Sequence, residues 1–475
     1  MTLQKLHLSG EMVDQDNKTT KLITALILGA ILPLLDTTII SVAIGKLTDA
    51  FHLPASSISW VATGYILAAT AVIPVTTWAR TRFGSKRIWI FALGTFLVGS
   101  TGCGFAWNLF SLITFRVIQG MGGGMLMPIL QTIVVETVGQ ERSRKVMGTI
   151  GVASVLAPIL GPIVGSVLLQ SGSWRPIFWV NPPICILAIW LGRRVIASHR
   201  GEPQLASFDV SGFLLLSPGL VSIVYALSSI NSQGRVAHSL TIEASMVGIA
   251  LLTLFIYRAI RTQINNPIVD LRLFKNSSFR FAVTQLFLNG FVFYGSITFL
   301  PLWFQIMKGD TVVKAAILLC IQGLGSMISR YIIGRFTFQA NVLVFLGWTL
   351  TLLGTLPFAV MSMNEIPWFI ETGMFIRGAG LGIVTITMMS TAYIGMEKVQ
   401  IKHASALTRI ATQLGGALGL AVLSSMLTSI HGVIANSVSI LSILTCFRWM
   451  CGVSALAGLV TVLLSKKPSK SKNTV

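Results

Sequence analysis

Acidic charge is scarce in this chain. Of its 475 residues only 15 are Asp or Glu, against 35 Lys and Arg, and charged residues together make up 11%. A soluble domain carries about 25%, so a water-facing surface cannot be built from this composition. Histidine and cysteine are also few. The six histidines, His7, His52, His199, His238, His403 and His431, read as lying in tails or loops, which leaves no buried set for a metal. The five cysteines, Cys103, Cys185, Cys320, Cys446 and Cys451, are an odd number in or near apolar runs, without metal-ligand spacing. They read as small buried hydrophobes, not as disulfides or ligands. Neither a GxxxxGK[ST] phosphate loop nor an HExxH pair occurs, and no polar stretch is long enough for a soluble domain. These absences argue against an enzyme, a bound metal or cofactor, and ATP-driven transport by this protein alone.

What is present is apolar length. Hydrophobic residues make up 53% of the sequence and mean hydropathy is +0.79. A helix needs about 20 apolar residues to cross a bilayer. Fourteen such runs are readable, at 22–44, 58–78, 87–107, 109–133, 147–170, 175–197, 208–230, 241–261, 280–306, 312–335, 340–362, 366–393, 404–430 and 443–465. They lack the ten-residue alternation of an outer-membrane barrel. The expected fold class is therefore an all-α polytopic membrane protein. Residues 1–21 are polar, so no cleavable secretory signal is expected, and the first span serves as its own insertion signal. With the N-terminus inside, the outer loops hold Lys46, Arg175, Arg235, Lys308 and Lys314, and Arg116, Arg377 and Arg448 fall within spans. The other basic residues, including Arg80, Arg82, Lys86, Arg87, Arg193, Arg194 and the tail from Lys466 to Lys472, fall on the cytoplasmic side. That bias is the positive-inside rule. It predicts an even number of spans in the inner (cytoplasmic) membrane with both termini cytoplasmic. It also accounts for the net charge of +20 without nucleic acid, and offers the basic loops to anionic membrane lipid.

The sequence repeats itself. Gln119-Gly120-Met121-Gly122-Gly123-Gly124 matches Arg377-Gly378-Ala379-Gly380-Leu381-Gly382 at three glycines, and Ala157, Gly161 and Gly165 match Ala411, Gly415 and Gly419 in spacing. Each segment carries a GxxxG pair, which lets helix backbones approach closely. Helix packing explains any one pair; four at equivalent places point to two related bundles, the plan of transporters with a site at the repeat interface. The predicted organisation is a tail at 1–21, a six-helix bundle at 22–200, an inserted hairpin at 201–265, a second six-helix bundle at 266–465 and a basic tail at 466–475.

Several motifs carry a family likeness. Span 1 has Leu35-Asp36-Thr37-Thr38-Ile39; Trp60-Val61, Gly64-Tyr65 and Pro74 follow. Span 4 has Arg116-Val117-Ile118-Gln119-Gly120, and span 5 has Gly148, Gly161-Pro162 and Gly165. Span 6 opens on Trp174-Arg175, Ile177-Phe178, Asn181 and Pro183; span 7 on Phe208-Asp209 and Gly212; and Asn266-Pro267, Asp270-Leu271 and Leu273-Phe274 precede span 9. In these the protein resembles, over nearly its whole length, the fourteen-span drug:proton antiporters of the major facilitator superfamily (EmrB/QacA type). The resemblance implies a major facilitator fold of two six-helix bundles plus an inserted two-helix hairpin, export of amphipathic small molecules in exchange for protons, and conformational roles for Arg82, Gly84, Arg87, Gly161, Pro162 and Gly165. The sequence departs from the family where G-x-L-A-D-R-x-G is expected between spans 2 and 3. Thr77 replaces the leading glycine and Thr81 the acid, which in the family is thought to latch one state by charge.

An ionisable group inside a span is costly and marks function by default. Asp36 is the one acid deep in a span, about 14 residues or roughly 21 Å from the inner end at 1.5 Å per residue. Arg116 stands at comparable depth. Asp36 reads either as the carrier of a coupling proton or as half of a structural pair with Arg116. A desolvated carboxyl prefers to be neutral, and one beside a guanidinium prefers to be ionised. For the substrate cavity the candidates are Gln119, Arg377, Gln285, Asn289, Gln322 and Tyr65; Gln285 and Asn289 lie one turn apart on a shared face. For each, joining helices is the alternative role. Glu136, Asp209 and Glu243 stand near span ends, where loop pairing is expected. One deep acid against two deep arginines predicts poor handling of dications. The competing readings are export of an endogenous lipid, peptide or metabolite with altered coupling, and a non-transporting sensor that kept the fold. No residue indicates a periplasmic adaptor, although one would be compatible.

Overall fold

Long apolar runs punctuated by glycine, proline and charge give helices and, among the described residues, no strand. The computed structural model describes residues 2–53, 55–198, 208–229, 235–261, 267–310, 312–335, 339–360, 367–429 and 440–465. His199, Asn266, His431 and the tail at 466–475 lie outside the described residues. The first elements are α1 (Thr2–Phe51), α2 (Ala55–Ile58), α3 (Trp60–Phe83), α4 (Ser85–Gly104), α5 (Leu109–Leu169), α6 (Pro176–Trp179), α7 (Asn181–Val195), α8 (Val210–Ser229) and α9 (Arg235–Arg261). After a 3-10 turn at Leu271–Lys275 come α10 (Ser277–Lys308), α11 (Val312–Arg335), α12 (Ala340–Val360), α13 (Pro367–Thr391), α14 (Lys398–Ser429) and α15 (Ile440–Ser465).

The protein forms two compact units. Residues 1–226, 233–271 and 397–409 make the first; 227–232, 272–396 and 410–475 make the second. In the first, α5 is the hub, packed on α1, α3 and α4, and α1 also packs on α7. In the second, α13 packs on α11 and α12, α12 on α15, and α10 on α13 and α15. Lipid tails are as apolar as Leu, so close packing and interhelical hydrogen bonds hold such helices together.

Among the described residues eleven helical stretches are long and apolar enough to cross a membrane, and Leu160–Leu169 and Ile317–Ile333 are shorter apolar stretches. The expected loop between spans 4 and 5 is instead helical to within one residue. Gly139, at φ 76° and ψ 169°, alone breaks α5 into two arms, a backbone shape that glycine adopts without a steric penalty. The first helix likewise begins at Thr2, so the polar stretch expected as a tail continues the first span.

The polar ends of the first unit are tied by specific pairs. Arg80 forms an ion pair with Glu136, and Ser85 Oγ donates to Glu136 Oε2 at 2.9 Å. Lys402 Nζ donates to the Thr81 hydroxyl at 2.8 Å, an uncharged acceptor where the resembled motif has a carboxylate. Asp209, one residue before α8, accepts from Arg258 Nη2 at 2.8 Å, from the Gly212 amide at 2.9 Å and from the Ile268 amide at 3.3 Å. Burial pushes this carboxyl up, but the bonds from Arg258, Gly212 and Ile268 and the charge of Arg258 outweigh it and hold it below the ordinary 3.8. A group whose folded value is depressed contributes stability above its unfolded value, and that stability is lost as pH falls through the folded one. The wild-type protein is therefore expected to melt above Asp209→Asn at neutral pH, with the gap closing as pH drops below 3.8. Thermal melts of both proteins in detergent across that range check it.

Candidate functional site

A buried polar cluster forms in the first unit because close helix approaches bring six elements, α1, α3, α4, α5, α6 and α7, to one point. Helix α5 starts at a capping box: the Asn108 side chain accepts from the Ser111 amide at 2.7 Å, and the Ser111 hydroxyl accepts from the Asn108 amide at 3.2 Å. Such a cap satisfies otherwise orphaned amides and fixes where the helix begins. Arg116 follows two turns later. A Cβ at Gly120 would collide with the Tyr65 carbonyl, so α3 lies close enough for the Tyr65 ring to cover the guanidinium, 4.4 Å from its centroid.

Arg116 is fully buried. Its Nη1 makes an ion pair with Asp36 and donates to Gln119 Oε1 at 2.8 Å, while Nε donates to the Val61 carbonyl at 3.0 Å. Asp36 Oδ1 accepts from Gln119 Nε2 at 2.8 Å and from Asn181 Nδ2 at 3.1 Å. Asn181 Nδ2 also donates to Ser100 Oγ at 3.0 Å, and Ser100 Oγ donates to the Phe178 carbonyl at 2.9 Å. Asp36 is 3% exposed, and Gln119 and Asn181 are 0%. A buried ion pair is tolerable only when further hydrogen bonds serve its remaining lone pairs and protons; here two amides serve the carboxylate, while Arg116 Nη2 is buried with no partner among the described residues. Thr37 and Thr38 bond back to carbonyls of their own helix.

The second unit places a cation without an acid. Arg377 is 0% exposed. It donates from Nε to Thr355 Oγ1 at 2.9 Å, from Nη1 to Gln322 Oε1 at 3.1 Å, and from Nη2 to the Val292 carbonyl at 3.4 Å and Met450 Sδ at 3.5 Å. All four partners are neutral. A Cβ at Gly378 would strike the Gln322 carbonyl, which is why α11 sits close enough to present Gln322. Gln285 and Asn289 share a face of α10 but serve different neighbours. Gln285 accepts from Trp348 Nε1 at 2.6 Å and donates to Thr461 Oγ1 at 3.0 Å and the Ala457 carbonyl at 3.3 Å. Asn289 Nδ2 donates to Thr385 Oγ1 at 3.0 Å, and its Oδ1 is buried with no partner.

The motif residues fall outside both clusters. Arg82 and Arg87 are exposed, and Gly84, at φ 86°, separates α3 from α4. Gly161 and Gly165 lie against Thr38, Ile39 and Val42 of α1, and the adjacent Pro162 is half-buried. Sequence reasoning missed several buried polar residues. His403, expected in a loop, is 9% exposed within α14, and Arg330, expected on the cytoplasmic side, is 7% exposed within α11. Arg330 precedes Gly334 by the spacing at which Arg80 precedes Gly84, a repeat signal that was available. Asn181 had only its motif position to mark it. No metal-binding group of three His, Cys, Asp or Glu occurs among the described residues.

Residues 26–420 match the sequence profile of the Major Facilitator Superfamily. The protein is 32% identical over 408 residues to "Multidrug resistance protein B homolog" of Mycobacterium tuberculosis, covering 85% of this sequence and 75% of that protein. It is 30% identical over 402 residues to "Probable transport protein HsrA" of Haemophilus influenzae, covering 83% and 84%. Among solved structures, the human organic anion transporter MFSD10 superposes with TM-score 0.67 at 14% identity, over 93% of this protein and 99% of that one. The proton:xylose symporter XylE superposes with TM-score 0.62 at 13% identity, over 94% and 95%. At these identities the two structures speak to the fold.

Proposed function

The protein belongs to the major facilitator superfamily, and from that membership we propose that it is a proton-coupled antiporter that exports amphipathic small molecules across the cytoplasmic membrane. The family is one of multi-pass membrane transporters, not enzymes. The observation that carries the proposal is the cluster around Asp36: an acid 3% exposed, at transmembrane depth, ion-paired to Arg116 and bonded to Gln119 and Asn181. An ionisable group so placed is a functional site by default, and a carboxyl there can take up and release the coupling proton. The drug class follows from the multidrug relative.

In this reading both termini are cytoplasmic and alternating access comes from two bundles moving about a central site. The eleven long apolar stretches, the two shorter ones and α4 make fourteen helical segments, which supports two six-helix bundles with α8 and α9 as the inserted hairpin. Asp36, Arg116 and Gln119 handle the proton. Arg377, Gln322, Asn289 and Tyr65 contribute to substrate recognition, whereas Gln285 has its polar atoms engaged by α12 and α15 and serves as a helix tie. Arg82, Gly84, Arg87, Gly161, Pro162 and Gly165 govern the conformational change.

The test is proton release from proteoliposomes holding the purified protein, on addition of a panel of amphiphiles. Release is expected with neutral, monocationic or anionic compounds and is expected to be weak with dications, because the deep charges are one acid and two arginines. Substrate binding without any proton release would overturn antiport and favour the sensor reading, to which the hydroxyl at Thr81 would then belong.

A further inference from the structure

We propose that the side-chain amide of Asn181 is the device that reads the protonation state of Asp36. The inference rests on the proton role proposed above for Asp36. Among the described residues three donors converge on the Asp36 carboxylate, Arg116 Nη1, Gln119 Nε2 and Asn181 Nδ2, and no acceptor does. That arrangement suits the ionised acid. Once Asp36 Oδ1 takes a proton from solution, the new O–H needs an acceptor, because a buried donor left unpaired costs about 1–3 kcal/mol.

The two amides differ in their freedom to supply one. Gln119 Oε1 accepts from Arg116 Nη1 at 2.8 Å. Turning that amide over would point its N–H groups at a guanidinium, so it is locked. Asn181 Oδ1 is buried and has no partner, so turning that amide breaks no bond on the oxygen side; the two Nδ2 bonds to Asp36 and Ser100 are exchanged for two bonds accepted by Oδ1, and Nδ2 in place of Oδ1 is left without a partner. Half a turn about χ2 brings Oδ1 to where Nδ2 now stands. There it accepts from the Asp36 O–H and faces Ser100 Oγ. Ser100, which now donates to the Phe178 carbonyl, then turns its proton to Asn181 Oδ1. The proton taken up on α1 is thus felt on α4 and at the Phe178 carbonyl in α6.

The other titratable groups facing Asp36 leave this task to Asn181. Arg116 from α5 is a donor only. Tyr65 from α3 lies with its ring over Arg116. The Cys103 thiol from α4 points to Gln119 Oε1 and the Leu112 carbonyl, and Cys185 from α7 is a fully buried thiol, a weak donor and acceptor.

The experiment is infrared difference spectroscopy of the reconstituted protein between high and low pH, with isotope-labelled asparagine. A carboxyl C=O band is expected to appear together with a shift of an asparagine amide C=O band. Asp36→Asn should lose the carboxyl band and the paired shift. Asn181→Leu should keep the carboxyl band, moved toward the frequency of an unbonded carboxyl, and lose the shift. In proteoliposomes Asn181→Leu should retain substrate binding while proton release falls about tenfold, the equivalent of roughly 1.4 kcal/mol. Asn181→Ser, whose hydroxyl both donates and accepts, should recover part of it. A carboxyl band tied to Asp36 with no asparagine shift would overturn the switch and leave antiport standing. Absence of any band sensitive to Asp36→Asn would overturn both.

Discussion

Asp36→Asn is expected to abolish substrate-driven proton release and to lower the stability of the folded protein by about 3–5 kcal/mol. The two effects have different causes. The first follows because asparagine takes up no proton in the working range. The second follows because Arg116, 0% exposed, would remain buried without a counter-charge, and removing one partner of a buried pair costs that much. The double variant Asp36→Asn/Arg116→Met separates them. Removing both charges together is often neutral or stabilising, so the melting temperature should recover toward the wild type while proton release stays absent. The cycle is read from melts of the two single variants, the double variant and the wild type, because residues in contact do not behave additively. Proton release surviving in Asp36→Asn would remove Asp36 from the coupling. A double variant as unstable as the single one would mean that the pair does not set the stability of this cluster.

Arg377→Met is expected to do the reverse: to leave stability unchanged or raised, and to shift substrate preference. The guanidinium is 0% exposed and all its contacts are neutral, so the second unit holds an uncompensated cation. Burying a charge without a partner is costly, and methionine fills similar volume without it. If an anionic substrate group supplies the counter-charge during transport, losing a charged hydrogen bond of about 1.5–3 kcal/mol lowers export of an anionic amphiphile roughly ten- to hundredfold relative to a neutral one. Arg377→Lys should fall between, since it keeps the charge but not the planar fork. The measurement is the ratio of anionic to neutral flux in vesicles. An unchanged ratio would assign Arg377 to helix packing through Thr355 and Gln322.

The membrane class is legible in the residues alone, because apolar length has one physical meaning in a bilayer. Through motif and repeat the sequence also determined the family, and through burial cost it singled out Asp36, Arg116 and Arg377. It marked Gln285 and Asn289 as sharing a face but not that one would reach α12 and α15 and the other α13. Spacing along one helix reports which side groups point together. Which neighbour they meet depends on where the next backbone runs.

That placement was left to the tertiary structure. The partners of Asp36 stand 80, 83 and 145 residues away in the sequence, and they meet because glycines such as Gly120 allow α3 and α5 into backbone contact. The same packing gave Arg377 its four neutral partners and left one oxygen of Asn181 without a bond. None of these has a local signature. A buried polar atom is satisfied or orphaned by the helices that close around it, and the residues beside it in sequence do not specify those.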